Sequence, residues 1–197
     1  MARRSLTPAR MAAATAGMAM AGMVMMTAQA AQAPSTDNQE LRAVKLTMER
    51  VQQVDRVMNA LAQTVKNDPE LQAKMKRREA IESGEAEPTP SEEAEMMHEE
   101  AEEKDGQQTI ASATRQIERE PKFVAVLRSA GLSPRDFVLT QTALFQASFA
   151  HGAHKQGHLK EIPQEIPPEH IAFVAQHEQE LTAMWKRWQE IGKQLPQ

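Results

Sequence analysis

Apolar residues recur along this chain in gaps of three and four, the spacing of one helical face, and no segment alternates as a strand would. Val44, Met48, Val51, Val54, Met58, Leu61 and Val65 form the first stripe, backed by polar Arg50, Gln52, Gln53, Asp55, Arg56 and Asn59. Thr47 is placed to cap this helix, and Leu46 and Val51 sit where a hydrophobic staple would hold its start. Asn67-Asp68-Pro69 ends it and opens a second helix. Asp68 is the cap, Pro69 takes the first helical position, and Leu71, Met75 and Ile81 are the apolar residues up to about Glu82. Residues 47–82 therefore read as a helical pair, and 31–46 as a mobile lead-in.

Residues 83–106 break the pattern. Gly84, Pro88 and Pro90 mark a linker, and Thr89, Pro90 and Glu92 spell a capping box. The stretch that follows, Ser91 to Lys104, could form a short helix but has little to bury except Met96 and Met97, so a solvated, partly disordered acidic insert is expected. From 107 onward the stripe returns. Ile110, Ala113 and Ile117 mark one helix; Pro121 opens another that Gly131 stops. Ser133-Pro134-Arg135-Asp136 is the sharpest start signal in the chain. The helix it opens carries no charge between Phe137 and Ala150, which predicts a central element buried on several sides, ending near residue 150. After a proline-rich crossover from Ile162 to Pro168, residues 170, 174, 177, 181, 184, 188 and 191 share one stripe, and a single last helix over about 168–192 is predicted. All seven aromatic residues lie after position 122, which places the core in the C-terminal half, 107–197, with 47–82 packed onto it as one domain. The fold class is all-α, a bundle of five or six helices.

The N-terminus changes this picture. Arg3, Arg4 and Arg10 precede an uncharged run from Met11 to Thr27, and Ala28-Gln29-Ala30 supplies a small-x-small cleavage pattern. Residues 1–30 therefore read as a signal peptide cut after Ala30, and the protein as periplasmic or secreted. The run is short and weak for a span needing about 20 apolar residues, so membrane contact is not expected after cleavage. Arg3-Arg4-Ser5-Leu6 also resembles a twin-arginine signal, which leaves the export route open.

The whole chain has a formal charge of −4, and residues 82–105 hold eleven acids against one Lys. The acidity thus belongs to the insert and not to the body. No basic patch is dense enough for nucleic acid. There is no Cys, which excludes disulfides, thiol nucleophiles and lipidation through a processed cysteine.

Several pieces resemble those of a family of small exported all-helical bacterial proteins: Leu46-Thr47-Met48-Glu49, Asp68-Pro69, Gly131-Leu132-Ser133-Pro134-Arg135-Asp136-Phe137 and the Pro167-Pro168 start of the last helix. That resemblance implies a compartment and a helical fold and carries no activity with it. Leu46-Thr47 also resembles the start of the L-T-x-x-Q motif of periplasmic stress chaperones and metal sensors, but Arg50 stands where Gln belongs.

Candidate chemistry is sparse. His151, His154 and His158 have the i, i+3, i+7 spacing that would turn three imidazoles to one helical face, a set suited to Zn, Cu or Ni, although Gly152 and Gly157 argue for a loop there. His170 and His177 fall on an apolar stripe and read as structural. Met96-Met97-His98 lacks regular ligand spacing. Trp185 and Trp188 flank Lys186 and Arg187 and read as core packing. No catalytic motif is present: G-x-S-x-G, a phosphate loop and H-E-x-x-H are all missing. The expected function is non-catalytic and without a cofactor: binding of an envelope protein, an unfolded chain or a second copy, through an apolar groove formed by Met48, Val51, Met58 and Leu61. Transition-metal binding by the three His is the alternative.

Overall fold

The computed structural model describes residues 36–102 and 109–194, with side chains described except at 36 and 98–102; residues 1–30, read above as a signal peptide, lie outside the described residues. These residues are all-helical, in nine helices: α1 Thr36–Ala43, α2 Met48–Asn67, α3 Pro69–Glu82, α4 Pro90–Glu102, α5 Ile110–Glu118, α6 Pro121–Ser129, α7 Pro134–Lys155, α8 Pro168–Gln176 and α9 Glu178–Gln194. None is long and apolar enough to cross a membrane. Most starts follow the predicted chemistry. Thr47 accepts from the Arg50 amide, Asp68 from the amides of Glu70 and Leu71, and Ser133 from Asp136. Gly131 adopts a φ of 74°, and the Leu132 amide reaches back to the Leu127 carbonyl at 3.0 Å, closing α6.

α7 is the central element, packed against α1, α2, α5, α6 and α8, while α9 lies on α2. The predicted α2 stripe supplies the other half of the core: its Val51, Val54, Met58 and Leu61, joined by Val57, which the stripe did not include, are buried in one cluster with Leu127, Phe137, Val138, Leu144, Leu181 and Met184. The core is therefore shared between the two halves.

Three expectations are corrected. Residues 36–44 are ordered where a mobile segment was expected. Leu41 enters the core, Asp37 Oδ2 accepts the Ile110 amide at 3.0 Å, and Glu40 pairs with Arg135 at 2.5 Å. Arg42 donates to the carbonyls of Gln164 and Glu165, and His170 Nε2 donates to the Val44 carbonyl at 2.7 Å. These are long-range polar ties, which no local periodicity reveals.

The last helix is divided at His177; with α1 and α4 as well, the described helices number nine where five or six were expected. The apolar stripe continues through the bend, because His177 still bonds Phe173 and Leu181 still bonds His177. The bend lets α8 pack on α7 and α9 pack on α2. α7 runs past Gly152 to Lys155 instead of stopping near 150. Gly157, at φ 76°, ends it, with the His158 amide bonded to the Ala153 carbonyl at 2.8 Å.

The acidic insert forms a helix over 90–102; residues 103–108 lie outside the described residues. Its start is the predicted capping box: Thr89 N donates to Glu92 at 2.7 Å, and Glu92 N to Thr89 at 3.3 Å. Arg77 of α3 then holds both Glu92 oxygens at 3.1 Å and donates to the Glu87 carbonyl at 2.7 Å. The Arg77 guanidinium and the Thr89 donors bring the Glu92 carboxyl down to about 2.

Candidate functional site

The face proposed for a groove is occupied. Val51, Met58 and Leu61 are buried inside the monomer and Met48 is half-buried, so α2 offers no apolar groove. The apolar surface lies elsewhere. The N-terminal half of α7 is enclosed, but its last turns carry Phe145 and Phe149 outward, with Phe149 66% exposed and Phe145 38%. Their rings stack at 6.4 Å, and Phe145 meets Trp185 of α9 edge-on at 6.2 Å. Trp185 in turn lies edge-on to Trp188 at 4.8 Å. Trp188 is buried, and its Nε1 donates to Asp55 at 2.7 Å while Arg187 pairs with the other Asp55 oxygen at 2.9 Å. The sequence reading of the two tryptophans as core thus holds for Trp188, whereas Trp185 is half-buried at the edge of an aromatic strip.

The strip has a charged end. Lys155, near the end of α7, binds both oxygens of Glu178 at 2.6 and 2.9 Å, tying α7 to the start of α9. Lys155, with a smaller contribution from His151, holds the Glu178 carboxyl below the usual glutamate range.

The three candidate metal ligands are not brought together. His151 and His154 lie on α7, and His158 lies beyond it in the capping turn. His151 Nε2 is buried without a hydrogen-bond partner, while His154 Nδ1 faces the Leu159 carbonyl at 3.2 Å. Among the described residues no three His, Asp or Glu side chains converge to hold a metal ion. His170 is 2% exposed and committed to Val44; His177 contacts Glu180 at 2.9 Å and the Phe173 ring at 4.8 Å. The His98 side chain lies outside the described residues.

A surface depression of about 220 Å³ lies between the starts of α3 and α6, lined by Glu70, Leu71, Lys74, Glu120, Pro121 and Lys122. Its charges pair with one another or their neighbours: Lys122 with Asp68 at 2.5 Å and Glu70 at 3.6 Å, and Lys74 with Glu120 at 3.4 Å. Lys122 holds the Asp68 carboxyl low, and the shared hydrogen bond raises the lysine. Such mutual pairing joins α3 to α6 and leaves these groups engaged with each other.

Sequence reasoning missed the strip because Phe145 and Phe149 read as core in a charge-free helix. The helical spacing i, i+4 was legible; which side of the helix the neighbours leave open was not. The chain matches no protein-family model, no curated protein and no solved structure.

Proposed function

We propose that this is an exported, non-catalytic helical protein that works by binding polypeptide through the aromatic strip of α7 and α9. The observation that carries the reading is the exposure of Phe149 and Phe145, stacked on each other and backed by Trp185. Large aromatic side chains left in water on a rigid helix are what protein interfaces use as anchors. Export rests on the N-terminal pattern of residues 1–30, and kinship with small exported helical proteins belongs to the same proposal.

The test is a photo-crosslinking amino acid in place of Phe149, in the cell that makes the protein, with the same probe at exposed Gln52 of α2 as control. Adducts from position 149, recovered from the envelope fraction and absent from position 52, are expected. Equal labelling from both positions, or none from 149, would remove the strip as a binding surface.

Metal binding by His151, His154 and His158 is the second reading. It is favoured by one observation, the unpartnered buried Nε2 of His151. A third ligand is what it lacks, since His158 sits beyond the helix.

A further inference from the structure

We propose that α1 is a strap: it opens while the rest of the bundle stays folded, and the groove it uncovers at the starts of α5 and α7 accepts a short amphipathic helix of the same pattern. The occupant of this groove is seen in the structure, and it is α1 itself. Leu41, 3% exposed, is the buried side chain of α1 and lies in the core cluster. Around it stand three polar ties, each to a different wall. The Asp37 carboxylate accepts the Ile110 amide at the start of α5 at 3.0 Å, and Glu40 pairs with Arg135 at the start of α7 at 2.5 Å. Arg42 donates to the Gln164 and Glu165 carbonyls of the crossover. The groove therefore reads an acid, a second acid three residues on, then Leu and Arg: Asp37, Glu40, Leu41 and Arg42.

The same contacts make the strap easy to lift. α1 has eight residues, fewer than the roughly 12–15 that an isolated helix needs in water, so docking is what keeps it helical. Its ion pair is open to solvent, with Arg135 46% and Glu40 30% exposed, and is therefore screened by salt. The chain is pinned immediately afterwards. Buried His170 donates to the Val44 carbonyl at 2.7 Å, and Leu46 packs against the core. The pivot thus falls between Ala43 and Val44. When Asp37 leaves, α5 keeps its own capping box of Thr109 and Ser112. A terminal unit with one deeply buried side chain and solvent-exposed ties is the kind that opens below the global unfolding free energy. Arg135 lies at the opposite end of α7 from Phe149, so the groove and the aromatic strip are separate surfaces.

Amide hydrogen exchange by NMR on the full chain and on a Glu40→Ala/Arg42→Ala variant tests the strap. In the wild type, residues 40–43 are expected to exchange faster than residues 138–147 of α7. In the variant they are expected to exchange faster still, with α7 unchanged. A peptide of residues 36–46 added to the variant is expected to move the Ile110 amide resonance toward its wild-type position, and the same peptide with Leu41→Asp to leave it in place. The wild type is expected to respond less, because its own tethered α1 competes at high effective concentration and only the open fraction binds. Exchange of α1 only together with α7 would make α1 an inseparable part of the core and overturn the strap. Release of α1 in the variant with Ile110 unmoved by the peptide, or moved equally by both peptides, would overturn the groove.

Discussion

At the scale of single residues, the polar side chains separate into those that close the fold and those left over. His170 is closed: it is buried, and its Nε2 bonds a carbonyl 126 residues away in sequence. Arg50, the residue that departs from the L-T-x-x-Q pattern, pairs with Asp136 at 2.8 Å and so joins the starts of α2 and α7. Its departure from the motif therefore has a structural use. His151 is left over, its Nε2 buried without a partner, and the metal reading turns on it and on His154, whose Nδ1 already faces the Leu159 carbonyl. Two imidazoles one turn apart leave at least one of zinc's tetrahedral positions to a protein ligand that His158 does not supply from the capping turn. Thermal unfolding with Zn, Cu or Ni is expected to show no rise in Tm. A site filled at about 100 times its dissociation constant would add about 2.7 kcal/mol. A rise that disappears in His151→Ala would reinstate metal binding. The i, i+3, i+7 spacing was legible in the sequence; the helix end at Gly157 that separates the third His from the other two was signalled by that glycine alone.

At the scale of elements, the helix starts were the most legible feature, because a cap is a contact between residues two or three apart. Thr47, Asp68, Thr89 and Ser133 all behave as their neighbours dictate. What stayed hidden were the elements held by distant partners. α1 offers one fully buried side chain, Leu41, and is fixed by Asp37, Glu40 and Arg42 to α5, α7 and the crossover. α4 is the extreme case: Met97 is 60% exposed, and the helix is tied to α3 through Arg77. That tie has a pH signature. The folded Glu92 carboxyl sits near 2, below its ordinary value, so the pairing contributes fully above the ordinary glutamate range and is lost as pH falls toward about 2. Amide hydrogen exchange in α4, taken relative to the intrinsic rate at each pH, is expected to accelerate over that acid window. It is also expected to be fast already at neutral pH in Arg77→Ala, and to quicken with added salt, because the pair is partly exposed. Equal protection of α4 in wild type and Arg77→Ala would show that something other than this pair holds the acidic helix.

At the scale of the whole molecule, the question is which aromatic residues stabilise the monomer and which are left for another surface. The sequence placed all seven after residue 122 and so located the core there, yet α2, which has none, supplies Val51, Val54, Val57 and Val65 as some of its most deeply buried side chains. Hydrophobicity and helical period identify what can be buried; only the packing of α7 among five other helices decides that Phe137 is enclosed and Phe149 is not. Stability measurements can separate the two roles. Phe137→Ala empties a filled position and is expected to cost about 3–5 kcal/mol. Phe149→Ser removes a ring that is mostly in water, at a site where Ser and Phe have similar helix propensity, and is expected to change stability by no more than about 0.5 kcal/mol. Denaturant titrations of both variants make the comparison. A loss at position 149 approaching that at 137 would mean that the strip is part of the monomer's core, and the binding surface would go with it. Near-neutrality at 149 would instead leave a large aromatic side chain that the monomer does not need, which is the condition a docking anchor has to meet.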